Sequence, residues 1–300
     1  GSTGGSTGGG DTGSGSGTGG GGGGSTSGSF VKPNSSNTGP RYSTTRSLTP
    51  SQALAELRNT GYLSRVRITG SLSLSGSDGR NWIIEDSQIL TSGNYGIHAY
   101  TSLDDFTGTR AERPVFRYVE VIGAAAWDND DCGAVVYGSD VVIQNADLYG
   151  CNDIVKVKHR MSLLNSWLHD VDSPSGAHSD TMQIRSARDS LIQGNRLDAY
   201  VGYVSDGSST PNGRTASGGL QTGSVSGDIS VRFIHNWFAG GHYTIRGWAE
   251  RDEGYNIDYY FRDNIWMQNG TSVALGLTNL EPNRWGATTG SLGNFDSSNV

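Results

Sequence analysis

Cysteine occurs only twice in this chain of 300 residues, at Cys132 and Cys151. Their separation permits a disulfide without requiring one. No Cys/His grouping has the spacing of a zinc site, which sets that class of metal protein aside. Long apolar runs are also missing. No stretch approaches a membrane span, so no membrane partner is expected. Nor are there runs of one charge. The net charge of −7 is spread along the chain, which argues against nucleic acid as the main partner. Positions 1–29 lack anything a core could use, being Gly, Ser and Thr except for Asp11. Such a segment reads as a flexible linker, leaving 30–300 as one domain. With neither an initiator Met nor a signal peptide, the chain reads as a mature protein or an excised fragment. The linker suggests a further module upstream.

What is present is a repeat. Seven copies of a short strand pattern begin at Ile84, Phe116, Ile143, Leu163, Ile192, Phe233 and Phe261. Each has a second bulky apolar residue five positions on: Ile89, Val121, Leu148, Leu168, Leu197, Phe238 and Trp266. Three positions after each start sits Ser87, Val119, Ala146, Ser166, Asn195, Asn236 or Asn264. The last three predict a column of Asn whose amides hydrogen-bond between stacked strands. Steps of 20 to 41 residues between copies suit a solenoid whose coils carry loops of different length. The longest step holds a Gly/Ser/Thr-rich insertion over 205–217, expected to be a surface loop. Thr49 to Leu57 predicts a short amphipathic capping helix, with Thr49 as N-cap, Pro50 in the first turn and Gly61 as the stop. Val66 and Leu72 are then expected to start the coils. The fold class is therefore all-β, a single-stranded parallel solenoid with an N-terminal cap.

A second strand family carries the candidate chemistry. Asp153-Ile-Val-Lys156-Val-Lys158 is followed by Asp180-Thr-Met-Gln183-Ile-Arg185, then by Gly218-Gly-Leu-Gln221 and Gly241-His-Tyr-Thr244-Ile-Arg246. Strand side chains alternate faces. Val155, Val157, Met182, Ile184, Leu220, Tyr243 and Ile245 should face a core. Lys156, Gln183, Gln221 and Thr244 should form one outward row, and Lys158, Arg185 and Arg246 a second. Stacked coils would turn these into one basic and amide strip. His178 and Asp180 sit at the mouth of the same strand. Trp127, Tyr137, Tyr203, Trp248 and Tyr255 fall near strand ends or in loops, where aromatic rings stack on sugars or cover the core. The repeated Asp131, Asp153 and Asp180 read as a turn column or as oxygen ligands, which leaves Ca²⁺ open as a cofactor. Scarce lysine with abundant Asn, Ser, Thr, Gly, Tyr and Trp matches many secreted carbohydrate-active proteins.

On this strand pattern, the Asn column and the segment Gly176-Ala-His178-Ser-Asp180-Thr-Met-Gln183, the chain resembles the right-handed parallel β-helix superfamily of pectate-lyase-like proteins over about 66–277. The resemblance implies a secreted, monomeric bacterial protein acting on an acidic polysaccharide. Lys158 and Arg185, one coil apart in one row, are similar to the base and acid of the lyases related to chondroitinase B and alginate lyases. The Asn/Glu calcium motif of that group is not evident. Asn129-Asp130-Asp131-Cys132-Gly resembles a polygalacturonase segment, but the Asn-Thr-Asp, Gly-His-Gly and Arg-x-Lys segments of those hydrolases are missing.

Three readings follow. The first is a polysaccharide lyase using Lys158 as base and Arg185 as acid or carboxylate ligand. Lys156, Gln183, Gln221, Arg246, Tyr137 and Trp248 would bind substrate, and His178 and Asp180 would complete the site. β-Elimination needs a neutralised uronate carboxylate, a base for the C5 proton and an acid for the leaving oxygen. The second is a glycoside hydrolase using Asp130, Asp131 or Asp180. The third is a non-catalytic carbohydrate-binding solenoid, in which the same cations only solubilise one face.

Overall fold

The computed structural model describes residues 30–127, 132–172, 178–200, 218–222, 226–240, 243–247, 255–268 and 271–272. Its strands fall into three sheets, of eight, ten and seven strands, that the chain visits in rotation. The pairings are parallel; the one exception is Thr271–Ser272, which turns back on Ile265–Gln268. This arrangement is consistent with a parallel β-helix.

Every anchor of the repeat stacks on its successor. Ile84 pairs with Phe116, Phe116 with Ile143, Ile143 with Leu163, Leu163 with Ile192, Ile192 with Phe233 and Phe233 with Phe261. All seven are fully buried in the eight-stranded sheet. Their partners five residues on form a matching column in the ten-stranded sheet, from Ile89 to Trp266. The column is one coil longer than the repeat suggests. Leu63 pairs with Ile84 and Ile68 with Ile89, so the first coil begins at Leu63 and not at Val66.

The sharp corner between these two sheets explains the repeat. Two positions after each anchor the backbone enters the left-handed region, at Arg65, Asp86, Tyr118, Asn145, Asn165, Gly194, His235 and Asp263. Asp and Asn tolerate that conformation better than most residues do. The next residue turns inward and must satisfy the corner's backbone. Asn236 does so completely. Its Nδ2 donates to Asn264 Oδ1 and to the Ile192 carbonyl, each at 2.9 Å. Its Oδ1 accepts from the Asn195 backbone N–H at 2.9 Å and from Asn195 Nδ2 at 3.0 Å. Ser166 and Ser87 continue the column with single hydroxyl acceptors, to Ala146 N–H and Val66 N–H.

The capping helix spans Pro50–Thr60 and packs on the first strands through buried Ala53 and Leu57. Thr49 and Gln52 form a reciprocal capping box, and Gly61 takes the left-handed C-cap conformation at φ 69°. The lead-in before it is more than a connector. Arg46–Leu48 adds an edge strand beside Val66–Thr69. Further back, the Gly39 N–H bonds the Asn145 carbonyl, Arg196 reaches the Pro33 carbonyl and Phe30 stacks on His235. This segment thus runs over the outer face of the ten-stranded sheet. Residues 1–29, the insertion at 205–217 and the tail after 277 lie outside the described residues.

Candidate functional site

The seven-stranded sheet carries the second strand family. Its strands are Leu72–Leu74, Tyr95–Ala99, Ala134–Gly138, Asp153–Val157, Asp180–Ile184, Gly218–Thr222 and Tyr243–Gly247. Val155, Val157, Met182, Ile184 and Leu220 are buried, as alternation requires. The outward register runs His98, Tyr137, Lys156, Gln183, Gln221, Arg246. Arg246 therefore belongs with Lys156 and Gln183, not with Lys158 and Arg185. Thr244 lies two residues earlier and leaves that row. The reason is one of register: Gly218, not Gly219 or Leu220, pairs with Tyr243. The side chains of Gln221 and Arg246 lie outside the described residues, as do Tyr203, Trp248 and the side chain of Trp127.

Lys158 and Arg185 come one residue beyond the paired ends Val157 and Ile184. They open onto a groove of about 280 Å³ lined by Tyr95, Tyr137, Lys156, Lys158, Gln183 and Arg185, with Val157 and Ser226. Five of the ten expected site residues thus line one concavity. Two of the chain's three lysines are among them.

The two lysines are held differently. Lys156 Nζ lies 3.0 Å from Asp153 Oδ2, so its charge is matched. The Asp153 carboxylate is itself buried, and burial pushes its pKa up against the opposing pull of Lys156. Its Oδ1 accepts the Asp180 N–H at 3.0 Å, which makes Asp153 a support for the next coil. Lys158 is half-buried and has no carboxylate in salt-bridge range among the described residues. Its ammonium instead lies 5.6 Å from the centre of the Tyr137 ring. Burial, and then the neighbouring Arg185 guanidinium, push its pKa below the ordinary value. Its backbone is fixed on both sides. The N–H bonds the Gly138 carbonyl at 3.1 Å, and the carbonyl accepts from Ser190 Oγ at 2.7 Å. Gly138 is required there, since a Cβ would collide with the Ala99 carbonyl of the preceding coil.

Two residues at the groove escaped the sequence reading: Tyr95, which lines it, and His98, which stacks beside its Tyr137. Tyr95 and His98 stand on the strand before Tyr137. The three rings pack together, with centroids 4.9 Å apart for Tyr95 and Tyr137 and 5.4 Å for His98 and Tyr137. For His98 the signal was the alternation Ile97-His98-Ala99, with Ile97 and Ala99 facing the core; the same alternation puts Tyr95 on the core side and gave no signal for it. Burial pushes the His98 pKa down and the Tyr137 pKa up.

His178 and Asp180 do not join this groove. His178 is exposed, and Asp180 is fully buried at the start of its strand. Five residues of extended chain, about 16 Å, separate Asp180 from Arg185. Asp128, Asn129, Asp130 and Asp131 lie outside the described residues. Cys132 and Cys151 form a disulfide, with Cα atoms 5.0 Å apart, on the coils that lead into the sheet. Among the described residues, no group of three or more His, Cys, Asp or Glu side chains is placed to share a metal ion. Comparison with protein-family models, with curated proteins and with solved structures finds no match.

Proposed function

We propose that this chain is a secreted polysaccharide lyase of the right-handed, pectate-lyase-like β-helix kind, which cleaves a uronate-containing polymer by β-elimination. The observation that carries the reading is Lys158. A lysine that is desolvated and set beside a second cation, with no carboxylate in salt-bridge range among the described residues, is held below its ordinary pKa, the direction a general base requires. An ordinary surface lysine has no reason to be built this way. Arg185, at the groove's open edge, suits a carboxylate through two parallel hydrogen bonds. With the uronate carboxylate neutralised there, the neutral Lys158 amine takes the C5 proton. The electron pair left on C5 forms the C4–C5 double bond as the C4–O glycosidic bond breaks. The leaving oxygen collects a proton from the groove's hydroxyl donors and water. Lys156, Gln183 and Arg246 would hold neighbouring sugars. The disulfide suits an oxidising, extracellular compartment.

The test is a screen of pectate, alginate, glucuronan and glycosaminoglycans for the absorbance of conjugated unsaturated uronates. The reading expects such product from at least one polymer, and its loss in Lys158→Ala. New reducing ends without that absorbance would replace the lyase with a hydrolase. Full activity in Lys158→Ala would remove the base assigned here.

A further inference from the structure

β-Elimination needs an acid for the leaving oxygen as well as a base, and the groove holds few candidates. The oxygen that leaves is on the carbon next to C5, so the acid must stand close to Lys158. Arg185 is close, but a guanidinium does not give up its proton in a protein. Lys156 holds its ammonium against Asp153 at 3.0 Å. The hydroxyls that line the groove belong to Tyr95, Tyr137 and Ser226. Ser226 offers an aliphatic hydroxyl, a far weaker acid than a phenol. Tyr95 lies at the start of its strand, opposite Ala134 and two coils before Lys158. Tyr137 is one coil before Lys158 and pairs with Lys156. Its ring is the one that the Lys158 ammonium approaches, 5.6 Å from the centre.

We propose that Tyr137 is the general acid of the elimination, its phenolic O–H protonating the leaving C4 oxygen while Lys158 takes the C5 proton. This rests on the lyase reading of Lys158 and Arg185. The Tyr137 backbone is pinned within its strand, between His98 on one coil and Lys156 on the next. Its ring packs on Tyr95 and lies 9° from parallel to the His98 imidazole. The ring is therefore held before substrate arrives, as a proton donor of fixed geometry must be. Among the described residues its hydroxyl has no hydrogen-bond partner, whereas the hydroxyls of Tyr62, Tyr100 and Tyr149 are all bonded. An ordinary lysine titrates at about 10.4 and an ordinary tyrosine at about 10, which leaves no pH where neutral amine and intact phenol both dominate. Here burial, with Tyr95 adding to it against the pull of Arg185, pushes the Tyr137 pKa up, while the Lys158 pKa is pushed down. Such a window opens between them. In the step itself the C5 proton goes to the Lys158 amine, and its electron pair becomes the C4–C5 double bond. The C4–O bond breaks, and the departing oxygen keeps that pair and takes the Tyr137 proton. Ammonium and phenolate are left side by side, and proton transfer from the first to the second restores both groups.

The experiment takes whichever of pectate, alginate, glucuronan and the glycosaminoglycans the wild type cleaves to unsaturated product. It pairs that polymer with its own oligomer bearing fluorine at C4 of the terminal uronate, in place of the next sugar. Fluoride departs without needing a proton donor, so its release bypasses the acid and still requires the base. Tyr137→Phe should lower kcat on the polymer by about 10²-fold or more, with KM within about threefold. It should release fluoride within about threefold of the wild-type rate, while Lys158→Ala loses both reactions. The alkaline fall of kcat/KM, where the phenol ionises, should vanish from the residual activity of Tyr137→Phe. Its melting temperature should match the wild type. Polymer cleavage by Tyr137→Phe within about threefold of wild type, or fluoride release lost as heavily as polymer cleavage, overturns the acid and leaves the lyase standing. No unsaturated product from any of these polymers with the wild type removes the lyase, and the acid with it.

Discussion

Two faces of this molecule treat buried charge in opposite ways. The outer face of the ten-stranded sheet is closed by the lead-in segment, and its charges are paired. His169 is buried there, with Nε2 2.6 Å from Asp147 Oδ1 and Nδ1 3.1 Å from Asp170 Oδ2. The second contact is an ion pair without the alignment of a hydrogen bond. The ring is clamped between Trp167 and Tyr149. Beside it, buried Arg196 lies 2.7 Å from Asp198, which also accepts the Trp167 indole N–H at 2.8 Å. The outer face of the seven-stranded sheet is open, and its Lys158 faces another cation. Burial alone pulls both basic groups down. At His169, two carboxylates more than offset it and raise the pKa to about 9. At Lys158, Arg185 adds to it. Burial does not distinguish these two basic groups; the sign of their neighbours does.

The largest expected effect lies on the open face. Lys158→Ala should lower kcat by about 10²–10⁴-fold, as removal of a general base does. It should leave the melting temperature unchanged or raise it, because the side chain has no counterion to lose among the described residues. A substantial drop in melting temperature would show that Lys158 is a structural group, and the contrast between the faces would disappear.

The Asn column, buried inside the corner between the eight- and ten-stranded sheets, is fully paired, and Asn236→Leu should do the reverse. Four hydrogen bonds end on that side chain, and Asn195, Asn264 and the Ile192 carbonyl would each lose a buried partner. The cost should be about 2–4 kcal/mol of stability, read by denaturant unfolding. Activity per folded molecule should persist. A change below about 0.5 kcal/mol would mean the column is ornamental. The disulfide sits between these cases. Replacing Cys132 and Cys151 with Ser reopens a loop of 19 residues and should cost about 2–3 kcal/mol. Because these coils lead into the sheet, it should also slow turnover modestly. An unchanged unfolding midpoint would contradict the estimate.

The core columns were largely legible in the sequence, the open face only in part, and the charge pairs of the closed face not at all. Ile84 to Phe261, the five-residue offset and Asn195, Asn236 and Asn264 repeat because each coil solves the same packing problem in the same way. Where the solution changes, the signal fails. Leu63 was missed although it and Ile68 keep the five-residue offset; its corner, Arg65-Val66, carries none of the Asp, Asn or Ser that marks most later coils. The lead-in from Phe30 to Gly39 shows no periodicity, since it docks largely through main-chain groups such as the Pro33 carbonyl and the Gly39 N–H. On the open face, Lys156, Lys158, Gln183 and Arg185 were found by alternation within strands. Arg246 was assigned to the wrong row because register between the strands Gly218–Thr222 and Tyr243–Gly247 is not a property of either strand alone. His98 was missed because an imidazole at that outward position does not repeat from coil to coil, and Tyr95 because alternation assigns it to the core side with Ile97 and Ala99.

The smallest effect compares the two basic groups directly, through pH. The folded His169 pKa, about 9, lies above the unfolded value of about 6.5. The folded state therefore holds a proton that the unfolded state releases across this window. The resulting stability is complete below about pH 6.5 and fades as pH rises through about 9. Lys158 has the opposite sign. Its folded pKa is depressed, so its contribution is complete above the unfolded value of about 10.4 and is lost as pH falls through the folded pKa. Thermal unfolding between pH 6.5 and 9.5 should show a decline on the order of 1–2 kcal/mol, dominated by His169. Asp147→Asn removes one carboxylate partner and should move that decline to lower pH. Lys158→Met removes the opposing contribution and should leave the decline in place or steepen it at the alkaline end. If stability instead rises across this window, or Asp147→Asn leaves the midpoint of the decline where it was, His169 is not held charged by its neighbours. The closed face would then owe its order to packing alone.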